Sequence, residues 1–270
     1  MPGLTGISAV AGLTGREHGI LEAPRLLADG TVLFTDLSGG VFSLAPGAAA
    51  PTELVPRRRG VGGLAPHRDG GVVITGRTVL HVDGGEQREL LAGEDVKGFN
   101  DVHVLADGGI LVGGLRYAPM AGEEPVPGAV WHLPAGGGQP EVVAEGITWP
   151  NGIGTSPDGG RVYVSDTAGA AVRSFELGSP PGAGEIFATV PEGVADGLMV
   201  DAEGDVWVAL ATAAVARFDA GGTLRETVPV PTPFVASLAG RGRVVVIAGL
   251  GTLFRARLET EAAPVPAAAV

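Results

Sequence analysis

Short runs in which large apolar residues alternate with small or polar ones recur along the whole chain, and a two-residue turn precedes each run. Residues 31–44 and 161–176 are typical, because their β-branched and aromatic residues are interrupted by a second turn before the alternation resumes. Alternation of this kind behind an Asp-Gly turn predicts a β-hairpin. The six turns are Asp29-Gly30, Asp69-Gly70, Asp107-Gly108, Asp158-Gly159, Glu203-Gly204 and Arg241-Gly242.

These turns follow one another at intervals of 38 to 51 residues. A period of about 40 residues with four short strands per unit is typical of propeller blades. Convincing amphipathic helices are missing, which disfavours α/β barrels and doubly wound folds. A β-sandwich or jelly roll is the alternative, but neither explains six similar units. We therefore predict an all-β, six-bladed β-propeller over residues 1–258, followed by an Ala- and Pro-rich tail over 259–270 that frays.

The six turns also define a common register. Seven positions before the first turn residue stand Glu22, Gly62, Asn100, Asn151, Asp196 and Phe234. Four of these residues carry side-chain oxygens, and both asparagines of the chain are among the four. Equivalent positions on successive blades lie on one ring around the propeller axis, so the four side chains should converge where the inner strands begin. The alternative is that each merely caps a turn or a strand end.

Two carboxylates and two amides that converge in a channel lose hydration, and the carboxylates repel each other. A hard divalent cation relieves both costs, because it binds carboxylate, amide and water oxygens. The chain has no cysteine and the ring has no histidine, which disfavours soft metals. We predict one divalent cation in the central channel, with Ca²⁺ as the first candidate and Mg²⁺, Mn²⁺, Zn²⁺ or Fe²⁺ as the others.

Composition narrows the classes of function. The net charge of -12 disfavours nucleic acid and anionic membranes as partners. A secretory signal pattern and an apolar run of about 18 residues are both missing, so we expect a cytoplasmic protein. Without cysteine there is no disulfide or thiolate nucleophile, and no serine stands in a nucleophile-elbow context. We expect a small-molecule substrate and a monomer or weak oligomer.

Four local motifs, which together cover nearly the whole chain, carry a resemblance to a known family. They are Leu21-Glu22-Ala23-Pro24, Phe99-Asn100-Asp101, Trp149-Pro150-Asn151-Gly152 with Ser156-Pro157-Asp158-Gly159, and Asp196-Gly197 with Asp201-Ala202-Glu203-Gly204. On these residues the chain resembles the gluconolactonase/regucalcin family of six-bladed propellers, also called the senescence-marker-protein lactonases. The third and fourth motifs are the most specific. The resemblance implies a metal-dependent lactonase.

The resemblance also implies a role for each residue of the ring. Glu22, Asn151 and Asp196 would be the metal ligands, and Asp196 would also be the general base. Asn100 would lie beside the metal and contact the substrate, which makes it the second catalytic candidate. The predicted reaction is hydrolysis of a lactone or similar cyclic ester, in which the cation polarises the carbonyl and Asp196 takes a proton from the attacking water.

The chain departs from the family pattern at three positions. Ala23 replaces a glycine, Leu26 replaces an aromatic residue, and Gly98 stands where sugar-lactone hydrolases often carry a substrate-binding arginine. The departure at Gly98 weakens the expectation of a polyhydroxylated sugar lactone. It favours the alternative of a non-hydrolytic metal enzyme, such as an isomerase, lyase or cyclase, on the same scaffold. A non-catalytic, cation-binding interaction propeller is the remaining alternative, and the convergent carboxylates argue against it.

Three further residues are candidates for substrate contact, besides Asn100. Trp149 precedes Asn151 by two positions and is a candidate for an apolar wall of the pocket. His103 follows Asn100 by three positions and is a candidate for the mouth, with a packed histidine as the alternative. Glu123 belongs to the Pro- and Gly-rich stretch 115–128, which is predicted to be a protruding loop. The family resemblance implies that this loop lies over the pocket, with a solvated lid as the alternative for Glu123.

Overall fold

The computed structural model describes residues 3–11, 13, 18–56, 58 and 60–270, which form twenty-four β-strands and one short 3₁₀ helix, Pro119–Ala121. The first nine strands are β1 (Leu4–Ala9), β2 (Leu21–Leu26), β3 (Val32–Asp36), β4 (Gly40–Leu44), β5 (Thr52–Val55), β6 (Leu64–Pro66), β7 (Val72–Ile74), β8 (Val79–Asp83) and β9 (Glu86–Leu91). The next eight are β10 (Gly98–Val104), β11 (Ile110–Leu115), β12 (Gly128–Leu133), β13 (Glu141–Ile147), β14 (Pro150–Thr155), β15 (Arg161–Asp166), β16 (Ala171–Glu176) and β17 (Glu185–Thr189). The last seven are β18 (Leu198–Val200), β19 (Val206–Ala209), β20 (Ala214–Phe218), β21 (Leu224–Pro229), β22 (Val235–Arg241), β23 (Val244–Gly249) and β24 (Leu253–Leu258).

The strands form six four-stranded antiparallel sheets, and the predicted six-bladed β-propeller is confirmed. Five sheets take four consecutive strands each, from β2–β5 to β18–β21. In every sheet the predicted turn dipeptide joins the first strand to the second, as Asp107-Gly108 does between β10 and β11. The first strands of neighbouring blades contact each other, so they surround the central channel. We call the end of the channel where these inner strands begin the mouth, and the opposite end the far end.

The sixth blade is closed by the beginning of the chain. Its strands run in the order β1-β24-β23-β22, so β1 supplies the outer strand that the C-terminal part lacks. Leu4 pairs with Leu258, and its side chain is buried in the cluster between blades five and six. Because β1 is hydrogen-bonded within blade six and is followed along the chain by blade one, this pairing ties the first blade to the last and closes the propeller.

Hydrophobic packing holds neighbouring blades together. The described residues form six apolar clusters, and each cluster combines residues from two adjacent blades. One cluster sets Phe34 and Phe42 of blade one against Val246 and Leu253 of blade six. The second strand of each blade, such as β3, β7 or β19, is buried almost throughout, whereas outermost strands such as β9 and β21 are largely exposed. In the described part of the chain, no helix is long and apolar enough to cross a membrane.

The C-terminal tail, which we expected to fray, packs against the far end of the propeller. Ala268 and Ala269 are 0% and 5% exposed. Their backbone N–H groups donate hydrogen bonds of 2.8 Å to the carbonyls of Pro66 and Gly108 at the far end of the propeller. The Ala-rich composition that indicated a frayed tail also supplies side chains small enough to pack here, and Ala268 and Val270 join the apolar cluster of blades two and three. The tail thereby crosses the far end of the channel.

Candidate active site

The predicted ring lies at the mouth of the channel. Three of its residues lie near the beginning of an inner strand: Glu22 is the second residue of β2, Asn100 the third of β10 and Asn151 the second of β14. Asp196 stands two residues before β18. All four therefore lie at the same level of their blades, as the common register predicts. The other two members of the register are Gly62, just before β6, and Phe234, just before β22.

Irregular pairing at the mouth determines where these side chains point. The ladder between β2 and β3 shifts register between Glu22 and Arg25, and the β10 and β14 ladders shift between Phe99 and Val102 and between Pro150 and Ile153. A β-bulge breaks the strict alternation of a strand and redirects the bulged side chains. The bulges contain Asn100 and Asn151, and Glu22 is the last paired residue before its own bulge.

Asn151 and Asp196 are in direct contact. Asn151 Nδ2 donates a hydrogen bond to Asp196 Oδ1, and it lies 3.4 Å from Thr167 Oγ1. Thr167 in turn donates to the Ala195 carbonyl at 2.7 Å. Asn151 and Asp196 are 9% and 6% exposed. This chain of contacts fixes the amide and the carboxylate of blades four and five in one buried pair.

Glu22 faces the same point from blade one. Burial raises the pKa of Glu22 well above its ordinary value, and the charges of Asp196 and Asp101 raise it further. Burial likewise raises the pKa of Asp196, although the hydrogen bond from Asn151 opposes this shift. None of the ion pairs in the described residues involves Glu22 or Asp196. The mouth thus holds two carboxylates that lack a counter-charge of their own.

Asn100 completes the ring from blade three. Its Nδ2 atom lies 3.5 Å from the Pro150 carbonyl, and its own carbonyl accepts a hydrogen bond from Thr75 Oγ1. A β-carbon at Gly62 would stand 2.7 Å from Asn100 Oδ1. Gly62, the register residue of blade two, therefore leaves the space that the Asn100 amide occupies.

Two glycines directly after ring residues allow neighbouring inner strands to approach closely. A β-carbon at Gly152 would lie 2.3 Å from the Leu198 nitrogen, and one at Gly197 would lie 2.4 Å from Ser237 Oγ. Neither position has room for a side chain, which explains why Asn151 and Asp196 are each followed by glycine. Ala23, after Glu22, instead adopts a φ of 44°. This left-handed backbone is strained for any residue with a β-carbon, and it occurs where the family has glycine.

The donor chemistry of the ring fits a hard divalent cation. Two carboxyl and two amide groups lie on one level of the channel. Burial favours the protonated form of the two acids, and an oxygen-binding cation would displace these protons. Within the described residues, no group of three or more His, Cys, Asp or Glu has metal-binding geometry. The ring differs from such a group because half of its members are asparagines. Metal ligation by Glu22, Asn151 and Asp196 stays a prediction.

Trp149 and the loop after β11 lie at the rim of the mouth. The Trp149 ring packs edge-on against Tyr117 with ring centroids 6.4 Å apart, and its backbone N–H donates to Asp166. The indole Nε1 is buried and has no hydrogen-bond partner. Glu123 is exposed on the same loop, where its carboxylate accepts a hydrogen bond of 2.8 Å from the Ala118 N–H. Trp149 therefore adjoins the ring, whereas the contacts of Glu123 are confined to its own loop.

His103 lies below the ring, on the far-end side of β10. Its Nε2 atom is 3.1 Å from Thr155 Oγ1 of blade four. Burial and then the charge of Arg25 lower the pKa of His103 to about 3, so its ring is neutral near pH 7. These contacts agree with the alternative of a packed histidine below the mouth, and substrate contact by His103 stays a prediction.

Sequence reasoning gave no role to Asp101 and Arg25. Asp101 follows Asn100 inside the bulge, is 7% exposed and accepts a hydrogen bond of 2.8 Å from the Val102 N–H. Arg25 Nη2 lies 3.6 Å from Asp101 Oδ1. The one available signal was the position of Asp101 beside Asn100, because nothing in the sequence connects Arg25 with a residue of blade three.

Comparison with known proteins identifies the family. The family model described as the SMP-30/Gluconolactonase/LRE-like region matches residues 21–245. Pentonolactonase XacC of Haloferax volcanii is 30% identical over 191 residues, which make up 67% of this chain and 63% of that protein. The matched part is thus less than two thirds of that relative's length.

Two solved structures share the fold over most of their length. A gluconolactonase from Xanthomonas campestris superposes with a TM-score of 0.77 at 25% identity, covering 90% of this chain and 87% of that one. A calcium-binding regucalcin from Agrobacterium tumefaciens superposes with a TM-score of 0.80 at 22% identity, covering 99% and 98%. The family match, the propeller and the ring agree, and the chain belongs to the SMP-30/gluconolactonase/LRE-like family.

Proposed function

We propose that the protein is a divalent-cation-dependent hydrolase of lactones or similar cyclic esters. The observation that carries this proposal is the convergence of Glu22, Asn100, Asn151 and Asp196 at the buried mouth of a propeller of this family. The relatives named as a pentonolactonase and a gluconolactonase support lactone hydrolysis as the general chemistry. Metal dependence and the residue roles belong to the proposal.

Glu22, Asn151 and Asp196 would hold the cation. When bound, the cation supplies a Lewis acid that polarises the lactone carbonyl and stabilises the developing oxyanion. Ca²⁺ is the first candidate because all the available ligands are hard oxygens, and a regucalcin with the same fold is described as calcium-binding. Mg²⁺, Mn²⁺, Zn²⁺ and Fe²⁺ are the other candidates.

Asp196 would act as the general base. Burial raises its pKa, which brings the carboxylate closer to the basicity required to accept a proton from water near neutral pH. Asp196 Oδ1 accepts the hydrogen bond from Asn151 Nδ2, and Oδ2 would accept the proton. After ring opening, the same carboxyl group would return the proton to the leaving alkoxide.

Asn100 and Trp149 would orient the substrate. The Asn100 amide stands beside Gly62 at the ring and offers both a donor and an acceptor to a cyclic ester. Trp149 would contribute an apolar ring at the rim, where it packs edge-on against Tyr117. Gly98 begins β10 without a side chain at the position of the family's arginine, which favours lactones with few hydroxyl groups.

Hydrolysis of a panel of aldonolactones and simple alkyl lactones, followed by pH-stat, tests the proposal. Each lactone is assayed after chelator treatment and again after addition of Ca²⁺, Mg²⁺, Mn²⁺, Zn²⁺ or Fe²⁺. We expect turnover that chelation abolishes and one of the cations restores, with alkyl or sparsely hydroxylated rings preferred. Cation-induced thermal stabilisation without turnover of any lactone would reject hydrolysis and favour the isomerase, lyase or cyclase alternative.

A further inference from the structure

Arg25 places a positive charge inside the channel, below the ring. It follows the bulge of β2, and its side chain is only 17% exposed. Nη1 donates to the Pro24 carbonyl at 2.8 Å, and Nη2 donates to the Val102 carbonyl at 2.9 Å. The guanidinium group therefore reaches from blade one to blade three and is fixed there by backbone acceptors.

Asp101 connects this cation to the ring. Its carboxylate lies 3.6 Å from Arg25 Nη2, and its negative charge acts on both Glu22 and Asp196. Three buried carboxylates therefore share the mouth and the space directly below it with one guanidinium group. Arg25 is paired with Asp101 but with neither predicted ligand, so it offsets part of the negative charge without occupying the ring.

Solvent screens these charges weakly. Arg25 and Asp101 line a cavity of about 510 Å³ at the far end of the channel, together with His103, Thr155 and apolar residues of several inner strands. The tail residues from Glu261 to Ala267 close this cavity from outside. The side chains of Arg25 and Asp101 are only 17% and 10% exposed, so solvent screens their charges less than it screens charges on the surface.

We infer that Arg25 is a positioning residue that holds Asp101 in place and sets the affinity of the ring for a divalent cation. The inference rests on the proposed function, since it concerns the same cation. Removing the guanidinium charge leaves three uncompensated carboxylates, which attract a cation more strongly and destabilise the cation-free fold. Removing the Asp101 charge has the opposite effect on affinity. Removing both restores the original net charge.

Calorimetric titration with Ca²⁺ tests this inference on the full chain. We expect Arg25→Met to bind Ca²⁺ about tenfold more tightly than the wild type and Asp101→Asn to bind it about tenfold more weakly. These factors correspond to the removal of one unit charge near the cation at an effective dielectric constant of about 20. The double variant should return to within about threefold of the wild type. Arg25→Lys, which keeps the charge, should also resemble the wild type.

Thermal denaturation separates this role from simple packing. We expect Arg25→Met to have a lower Tm without Ca²⁺ but a larger Ca²⁺-induced rise in Tm. The control is Arg217→Met, because Arg217 is 15% exposed and pairs with Asp205 on blade five, at 2.7 Å. This variant should lose Tm without a change in Ca²⁺ affinity. Arg25→Gln keeps a donor for the Val102 carbonyl and replaces Arg25→Met in both experiments if that variant does not fold.

The outcomes distinguish this inference from the proposed function. If the wild type binds Ca²⁺ but loss of the Arg25 charge leaves affinity unchanged or weakens it, the inference is wrong and the proposed cation site stands. An equal loss of Tm with and without Ca²⁺ would likewise reduce Arg25 to a packing residue. If the wild type binds none of the divalent cations, the proposed cation site fails and this inference falls with it.

Discussion

Burial determines the charge of the two carboxylates at the mouth. Desolvation raises the pKa of Asp196 from 3.8 to about 8, and it raises the pKa of Glu22 in the same direction. A carboxyl group whose folded-state pKa lies above its unfolded-state value stabilises the fold fully below the unfolded-state pKa. That contribution is lost as the pH rises through the folded-state pKa.

The cation-free protein should therefore lose stability as the pH rises from about 4 to about 8. We expect its free energy of unfolding, measured by urea denaturation after chelator treatment, to fall across this range. Saturating Ca²⁺ should abolish most of the fall, because the cation replaces the protons. Asp196→Asn should also flatten the profile. A wild-type profile that rises with pH in chelator would contradict the predicted shifts.

Asp196→Asn should also remove turnover. The amide cannot accept a proton from water, and general-base catalysis typically contributes about 10²- to 10⁴-fold to the rate. We expect kcat on the best lactone to fall by at least about 10²-fold at saturating Ca²⁺, with an unchanged circular dichroism spectrum. Asp158→Asn is the control, because Asp158 lies on an exposed far-end turn. Full activity of Asp196→Asn would reject the role of base.

Side chains of the ring could be predicted from sequence, whereas their surroundings could not. Asn100 and Asn151 stood out because each occupies an equivalent place in a repeat. Arg25 and Asp101 interact across a blade, so no local spacing relates them. The sequence could not decide whether His103 lies at the mouth or is packed within the channel. The direction of its side chain depends on how far the bulge at Asn100 rotates the following part of β10.

Among the strands, the bulges are the features that connect fold and site. The bulges of the inner strands β2, β10 and β14 lie at the mouth, and below them the ladders with the second strands continue regularly, as in β10 from Val102 to Val104. The regular part aligns each blade, and the irregular part turns polar groups toward the axis. Glycines at the bulges then let inner strands meet without side chains between them.

Gly152→Ala should test this close approach. The added β-carbon would lie 2.3 Å from the backbone nitrogen of Leu198, so β14 and β18 would have to separate. Overpacking of this kind costs about 1–3 kcal/mol, and we expect that loss in urea denaturation together with weaker Ca²⁺ binding. Gly159→Ala, at a turn with open space but a φ of 75°, is the control. It should cost stability without changing Ca²⁺ affinity.

If Gly152→Ala bound Ca²⁺ with wild-type affinity, the ring geometry would not depend on this approach.

The hairpins that carry these bulges were predictable because Asp-Gly turns and alternating residues are local signals. The strand β1 was not, since its partner β24 lies at the other end of the sequence. Its residues carry no turn that fixes a register.

In the whole molecule, four of the six blades contribute a side chain to the ring, so the site depends on closure of the propeller. The pairing of β1 with β24 fixes the first and last blades together, and the tail crosses the opposite end of the channel. The tail was predicted to fray because it has few polar or β-forming features. Its burial depends on a surface that exists only after all the blades have assembled.

Deletion of residues 260–270 should lower stability without removing activity. The deletion exposes the cavity and removes the backbone hydrogen bonds to Pro66 and Gly108. We expect Tm to fall by at least about 4 °C, because the free energy of unfolding of a chain of this size would decrease by about 2 kcal/mol. Because the tail lies at the far end, kcat at saturating Ca²⁺ should remain within about twofold of the wild type. Loss of kcat with an intact fold would show that the tail supports the mouth.

The most direct test measures lactone hydrolysis and bound Ca²⁺ in the same sample. Metal-free protein is titrated with Ca²⁺ in a calorimeter, and turnover of the best lactone is measured at each point. We predict that turnover rises in proportion to occupancy and levels off at one Ca²⁺ per chain, and that Asn151→Ala requires a much higher Ca²⁺ concentration to reach the same plateau. Full turnover in the metal-free protein, or turnover that does not follow occupancy, would contradict a cation-dependent lactonase centred on this ring.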